Sequence, residues 1–135
     1  MTDKAARRAR GELYFRKNYA DMMEPPPEGE DPFFDIMLDT LFSEVWSREE
    51  QLSLRDRRLF TMGIIAAMGE ADVFGIQCSS ALRRGELDEA QVRELVIHAA
   101  PYAGYPRVGR LRASAEQAIS QHHKTQKKSA STDEQ

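Results

Sequence analysis

The chain has 135 residues, 41% of them hydrophobic and 30% charged, and a formal net charge of −3. That length and balance predict one globular domain with a single core, and they exclude a broadly basic nucleic-acid binder or a protein held on an acidic membrane by charge. One cysteine, Cys78, excludes an internal disulfide framework and a cysteine-based zinc cluster. The opening "MTDKAARRARGELYF" has no continuous apolar region of the signal-peptide kind, and the most apolar run, "LFTMGIIAAMG" (59–69), is too short to span a bilayer. The expected location is therefore cytoplasmic.

Helical periodicity dominates and no run alternates as a strand would. A first helix is expected after Asp3, a candidate N-cap, ending near Met22. Its basic residues Lys4, Arg7, Arg8 and Arg10 read as a solvated face, because no aromatic or Gly-rich phosphate element accompanies them. "MEPPPEGEDP" (23–32) is a Pro-rich break. Asp31 followed by Pro32 then supplies an N-cap and a first-turn proline, opening a helix whose apolar stripe is Phe34, Met37, Leu38, Leu41 and Phe42. Ser53 with Asp56 resembles a capping box and starts a third helix. This one is apolar nearly all round from Phe60 to Met68, so it is expected at the centre, closed by Gly69. A fourth helix covers about 71–84 and ends at Gly85, and Asp88 with Gln91 caps a fifth, "EAQVRELVIHAAPYA". A sixth runs from near Pro106 to about His123, followed by a polar tail over 124–135 expected to be disordered. The domain is thus placed at 1–123, with no internal repeat. The fold class is all-α, a compact bundle of about six helices.

Candidate chemistry centres on His98. The core stripe of the fifth helix is Val92, Leu95, Val96, Ala99 and Ala103, and His98 lies one position off it, in line with Glu94 and Tyr102 one turn away on either side. A neighbouring carboxylate favours the charged imidazole and burial opposes it, which suits an acid/base group near neutral pH. The alternative is a half-buried histidine at a helix contact. Cys78 has no second thiol at C-x-x-C spacing and no adjacent histidine, so it reads as a buried, inert residue. Glu44 beside Trp46 is a candidate proton donor or an exposed acid next to a packing ring. Arg48, Arg55, Arg57 and Arg58 offer a guanidinium fork for a carboxylate, or merely a charge-rich helix start. His122 and His123 fall in the solvated tail region. No Gly-rich phosphate loop, H-E-x-x-H, G-x-S-x-G or paired C-x-x-C is present.

Three stretches together resemble the carboxymuconolactone decarboxylase family, within the wider group that includes the AhpD-like alkylhydroperoxidases. They are "FSEVWSREEQLSLRDRRLFTMGIIAAMG" (42–69), "SSALRRGELDEAQVRELVIHAAPYAGYPRV" (79–108) and, more weakly, "RRARGELYFRKNYADM" (7–22). The resemblance implies an all-helical, AhpD-like subunit that self-associates, as a homotrimer or homohexamer, with sites near subunit contacts. It implies a small-molecule substrate, no metal or organic cofactor, and neither nucleic acid nor membrane as partner. The namesake enzymes decarboxylate γ-carboxymuconolactone in protocatechuate breakdown, a reaction that needs an anchored carboxylate and an acid to protonate the resulting carbon.

On this resemblance the expected function is a cofactor-free, decarboxylase-like lyase or related isomerase acting on a small carboxylated lactone or aromatic-derived acid. His98 and Glu44 are its expected catalytic groups, and Gln77, Cys78, Tyr102, Trp46 and Arg48 are expected to bind substrate. The chain departs from the family at three points. Gln77 stands where the decarboxylases commonly carry a histidine. The C-x-x-C-x-x-x-H positions of the AhpD-like relatives fall on Phe74, Gln77 and Ala81, leaving Cys78 out of register and arguing against a peroxidase. Pro101 replaces an ordinary apolar residue and is expected to kink the fifth helix. The alternative function is a non-catalytic oligomeric binding protein on the same scaffold.

Overall fold

The computed structural model describes residues 2–133, and every regular element among them is helical. In chain order these are α1 (Asp3–Asn18), α2 (Pro32–Met37), a π-helical segment (Leu38–Trp46), α3 (Leu54–Met68), α4 (Ala71–Arg83), α5 (Glu89–Ala103) and α6 (Tyr105–Asp133). The all-α class and the count of six α-helices agree with the expectation. No helix among the described residues is long and apolar enough to cross a membrane. The chain divides at the Arg58–Leu59 junction, inside α3, into two compact units, where the sequence led to one domain over 1–123.

In the first unit α1 is capped by Thr2, one residue before the expected Asp3, its hydroxyl accepting from the Ala5 N–H at 3.1 Å. The helix stops at Asn18 rather than near Met22, and Ala20 and Asp21 just beyond it take left-handed φ values of 52° and 59°, which no α-helix can continue. Asp31 caps α2 as expected, accepting from the Phe33 N–H at 3.0 Å with Pro32 in the first turn. After six residues the helix widens into the π-helical segment. Each turn there holds more residues than an α-turn, so the apolar stripe rotates. Leu38, Phe42, Ser43 and Trp46 are buried, whereas Leu41, expected on the stripe, is turned out. Phe15, Leu38, Phe42, Trp46 and Leu54 form this unit's core, with the Phe15 and Phe42 rings edge-on at 5.3 Å.

The expected solvated basic face of α1 is partly structural instead. Arg8 is buried, and its guanidinium meets three acceptors: Glu12 Oε1 at 2.8 Å, Asp35 Oδ1 at 2.7 Å and the Pro26 carbonyl at 2.6 Å. Three charge-assisted or close hydrogen bonds offset the cost of removing the charge from water, and they tie the Pro-rich connection and α2 to α1. Arg10 donates to the Ser43 carbonyl at 2.8 Å, fixing the π-helical segment to the same helix. Arg58, one of the candidate fork residues, is also buried and donates to the Asn18 carbonyl at 2.8 Å.

The second unit comprises the rest of α3 with α4, α5 and α6. Gly69 and Gly85, at φ 73° and 68°, bound α4 at its two ends. Asp88 and Gln91 form the expected reciprocal capping box on α5. α6 packs along α4 and α5, and at Gly75 a Cβ would lie 3.2 Å from Ser114 Cβ. The core includes Met62, Phe74, Cys78, Val92, Leu111 and Ile119.

Two features of this unit differ from the sequence reading, and a third agrees with it. Of the α3 residues in this unit, from Leu59 onward, Met62 and Ala66 are buried, and Phe60, Ile64 and Met68 stand exposed at one-turn intervals, so the helix is not enclosed on all sides. Continuous apolarity marks a helix suited to burial, but packing decides which faces are covered. α5 runs through Pro101 as far as Ala103, the span read from the sequence. The proline and Ile97, whose carbonyl loses its usual N–H partner there, both lie on the exposed side. α6 continues from Lys124 to Asp133, the stretch expected as a disordered tail; positions 134 and 135 lie outside the described residues. The extension has no Gly or Pro, and the Thr125 and Thr132 hydroxyls bond the carbonyls of Gln121 and Lys128.

The close approach of α1 to the π-helical segment generates a test. A Cβ at Gly11 would sit 2.2 Å from the Leu38 carbonyl oxygen. Gly11→Ala gains about 1 kcal/mol of helix propensity, yet the clash is expected to outweigh it and lower stability by about 2 kcal/mol or more. Urea unfolding checks this, and an equal or higher midpoint contradicts the packing.

Candidate functional site

The two helices that flank the site in the second unit, α3 and α5, carry small residues at matching one-turn intervals: Gly63 and Ala67 on α3, Ala99 and Ala103 on α5. Side chains this short leave the space between the helices unfilled, and a groove of about 370 Å³ remains there. Met62 and Phe74, both buried, and Leu59, Ala66 and Leu95 complete its apolar wall. The volume falls within the range of small-molecule sites.

Two polar side chains reach this wall, and both come from α5. His98 and Tyr102 are one turn apart with ring centroids at 5.2 Å and planes tilted by 40°. Among the described residues no carboxylate lines the groove. His98 is exposed rather than half-buried, so its ring can exchange protons with solvent as well as with a bound molecule. The arrangement offers an apolar body of space with one acid/base group and one phenol at its edge.

The remaining candidates are distributed differently. Gln77 and Cys78 lie on α4 in the same unit but are buried at 3% and 0% exposure, and neither is part of the groove wall; Phe74, one turn earlier, takes that place. Burial pushes the Cys78 thiol up to about 12, which leaves it protonated at neutral pH and without nucleophilic character. Phe74, Gln77 and Ala81, the positions of the redox motif, are all buried.

In the first unit, Trp46 is a core residue stacked on Phe42 at 6.5 Å. Glu44, on the π-helical segment, pairs with Arg7 at 3.4 Å and Arg10 at 3.3 Å. Arg48 is exposed where that segment ends, and its carbonyl accepts from Arg57 at 3.0 Å. Near the end of the chain, His123 pairs with Glu89 rather than standing free in solvent. Among the described residues no group of three or more His, Cys, Asp or Glu side chains is placed to hold a metal ion.

Sequence reasoning found His98 and Tyr102 because an ionisable residue off an apolar stripe is visible in helical spacing. It missed Met62, Gly63, Ala67 and Phe74. The available signal was the pairing of small residues four apart on two helices, but small residues mark a tight contact as readily as a gap.

Comparison with known families matches residues 31–117 to the Carboxymuconolactone decarboxylase family. The match spans more than half of the chain and includes the stretches 42–69 and 79–108, while 7–22 falls outside it. The chain belongs to that family. No curated protein and no solved structure matches it.

Proposed function

We propose that this family member is a decarboxylase-like lyase, or a related isomerase, acting on a small carboxylated lactone or aromatic-derived acid of the kind met in protocatechuate catabolism. The observation that carries the reading is His98, exposed beside Tyr102 on the wall of an otherwise apolar groove. In the reaction, the bond between the substrate carbon and its carboxyl group breaks and CO₂ departs. The electron pair left behind is delocalised into the substrate's own conjugated system. His98, as imidazolium, protonates that carbon and recovers its proton from solvent, and the Tyr102 hydroxyl hydrogen-bonds a substrate oxygen. The apolar wall favours the step, because a carboxylate loses hydration on entering it while the neutral CO₂ does not need any. No organic cofactor or metal enters this scheme.

Glu44 is given no part in the chemistry. Its partners Arg7 and Arg10 already occupy it as a structural ion pair. Turnover of γ-carboxymuconolactone and related acids by the purified protein tests the reading. His98→Ala is expected to lower kcat by a factor of 10² to 10⁴, the usual range for loss of a general acid. Unchanged turnover in that variant contradicts it.

A second reading has its own support, and it also bears on assembly. Phe60, Ile64 and Met68 on α3 are 72%, 50% and 65% exposed and form an apolar ridge, with Tyr102 and Tyr105 exposed in the same unit. We propose that this ridge is covered by further copies of the chain, giving a homotrimer or homohexamer, and a purely oligomeric binding protein would need nothing more. Sedimentation equilibrium is expected to show a trimer or larger, reduced toward monomer by Ile64→Glu. A monomeric unmodified protein contradicts the assembly.

A further inference from the structure

Ala103 lines more than the groove. That residue also lines a second, open cavity of about 560 Å³ bounded by Met68, Gly69, Gly104, Pro106, Arg107 and Arg110. The two cavities differ in character. The first is apolar with His98 and Tyr102 at its edge, and the second carries two guanidinium groups. Among the described residues no Asp or Glu lines either cavity, and the first turn of α6 has no acidic residue.

Arg107 is held in place. Its Nη1 donates to the carbonyl of Ala67, a groove residue, at 2.6 Å. Its stem lies across Gly69, where a Cβ would come within 2.9 Å of Arg107 Cγ, so only glycine leaves room for it. Arg110, one turn nearer the α6 interior in sequence, is exposed and faces the same cavity. The carbonyl bond uses one face of the Arg107 fork and leaves its other donors available. Two cations in a cavity that adjoins the apolar groove at Ala103, with no carboxylate among the described lining residues to neutralise them, form a site that gains most from an anion with an apolar body.

We infer that the ligand of this groove is an apolar carboxylic acid whose carboxylate is held by Arg107 and Arg110, with its ring or chain lying along the groove toward His98. This rests on the groove being the ligand site and assigns the carboxylate anchor that the sequence had placed at Arg48. His98 and Ala103 are five residue steps apart on α5, about 7.5 Å of helix axis. A molecule bridging the two ends therefore spans roughly a phenyl ring and a short side chain. It carries one carboxylate that is retained at the arginine end, and the carboxyl group lost in the proposed reaction is a second polar group, accommodated only beside His98 and Tyr102. A substrate studded with carboxylates along its length fits poorly, because the intervening wall offers no partner for them.

The test compares trans-cinnamate with neutral cinnamamide, which has nearly the same shape, by ligand-detected NMR titration of the full chain. The acid is expected to bind at least tenfold more tightly than the amide, with an affinity that falls as salt rises. Arg110→Gln is expected to remove that advantage without changing amide binding, and Ala67→Phe, which fills the groove, to abolish binding of both. If Arg110→Gln leaves the acid unaffected while Ala67→Phe blocks it, the groove reading stands and the arginine anchor is overturned. If Ala67→Phe leaves both ligands bound, or neither ligand binds the unmodified protein, the groove reading fails and this inference fails with it.

Discussion

Side-chain volume withheld between α3 and α5 is the constraint on which the functional reading of this protein depends. Interiors pack to the density of organic crystals, so a run of short side chains must either draw two helices together or leave space. Here Gly63, Ala67, Ala99 and Ala103 leave it, and about 370 Å³ stays open above Met62 and Phe74. Everything chemical in the second unit is arranged around that decision. His98 and Tyr102 stand at the groove's edge because α5 turns its Val92, Val96 and Ala100 face into the core and leaves the adjoining line free. Gln77 and Cys78, one helix away, are packed and lie off the groove wall.

The first unit shows charge used as scaffold. Arg8 and Arg10 satisfy backbone and side-chain acceptors on the Pro-rich connection, α2 and the π-helical segment, so a region with a modest apolar core acquires a defined path. The same pairs explain why Glu44, attractive as a proton donor beside a tryptophan, has a structural occupation. Residue types that suggest chemistry were recruited for architecture wherever their partners lay within reach.

How far the sequence could be read follows from the range of each signal. Helix starts at Asp31, Ser53 and Asp88 were legible because a cap and the backbone N–H that donates to it lie two or three residues apart. Arg8 was not, since its acceptors Asp35 and Pro26 stand 27 and 18 residues away. The stripe through Leu41 failed for a different reason. It assumed α-helical turns, and nothing in "LDTLFSEVW" announces the wider π-helical turn that rotates Leu41 outward. The apolar run on α3 was recognised, but which face would be covered depends on neighbours that periodicity does not name. His98 was legible as a residue off the core line, whereas the groove beside it exists only once two helices are placed together. The family resemblance, read from 42–69 and 79–108, is the part that comparison establishes independently.

The central claim is that ligands enter between α3 and α5 at His98. Amide and side-chain shift mapping during a titration with trans-cinnamate addresses it directly. The account predicts perturbations concentrated at Gly63, Ala67, His98, Ala99 and Tyr102. Perturbations gathered instead at the separate cleft lined by Arg93 and Arg112, between α5 and α6, with the groove residues silent, would contradict it.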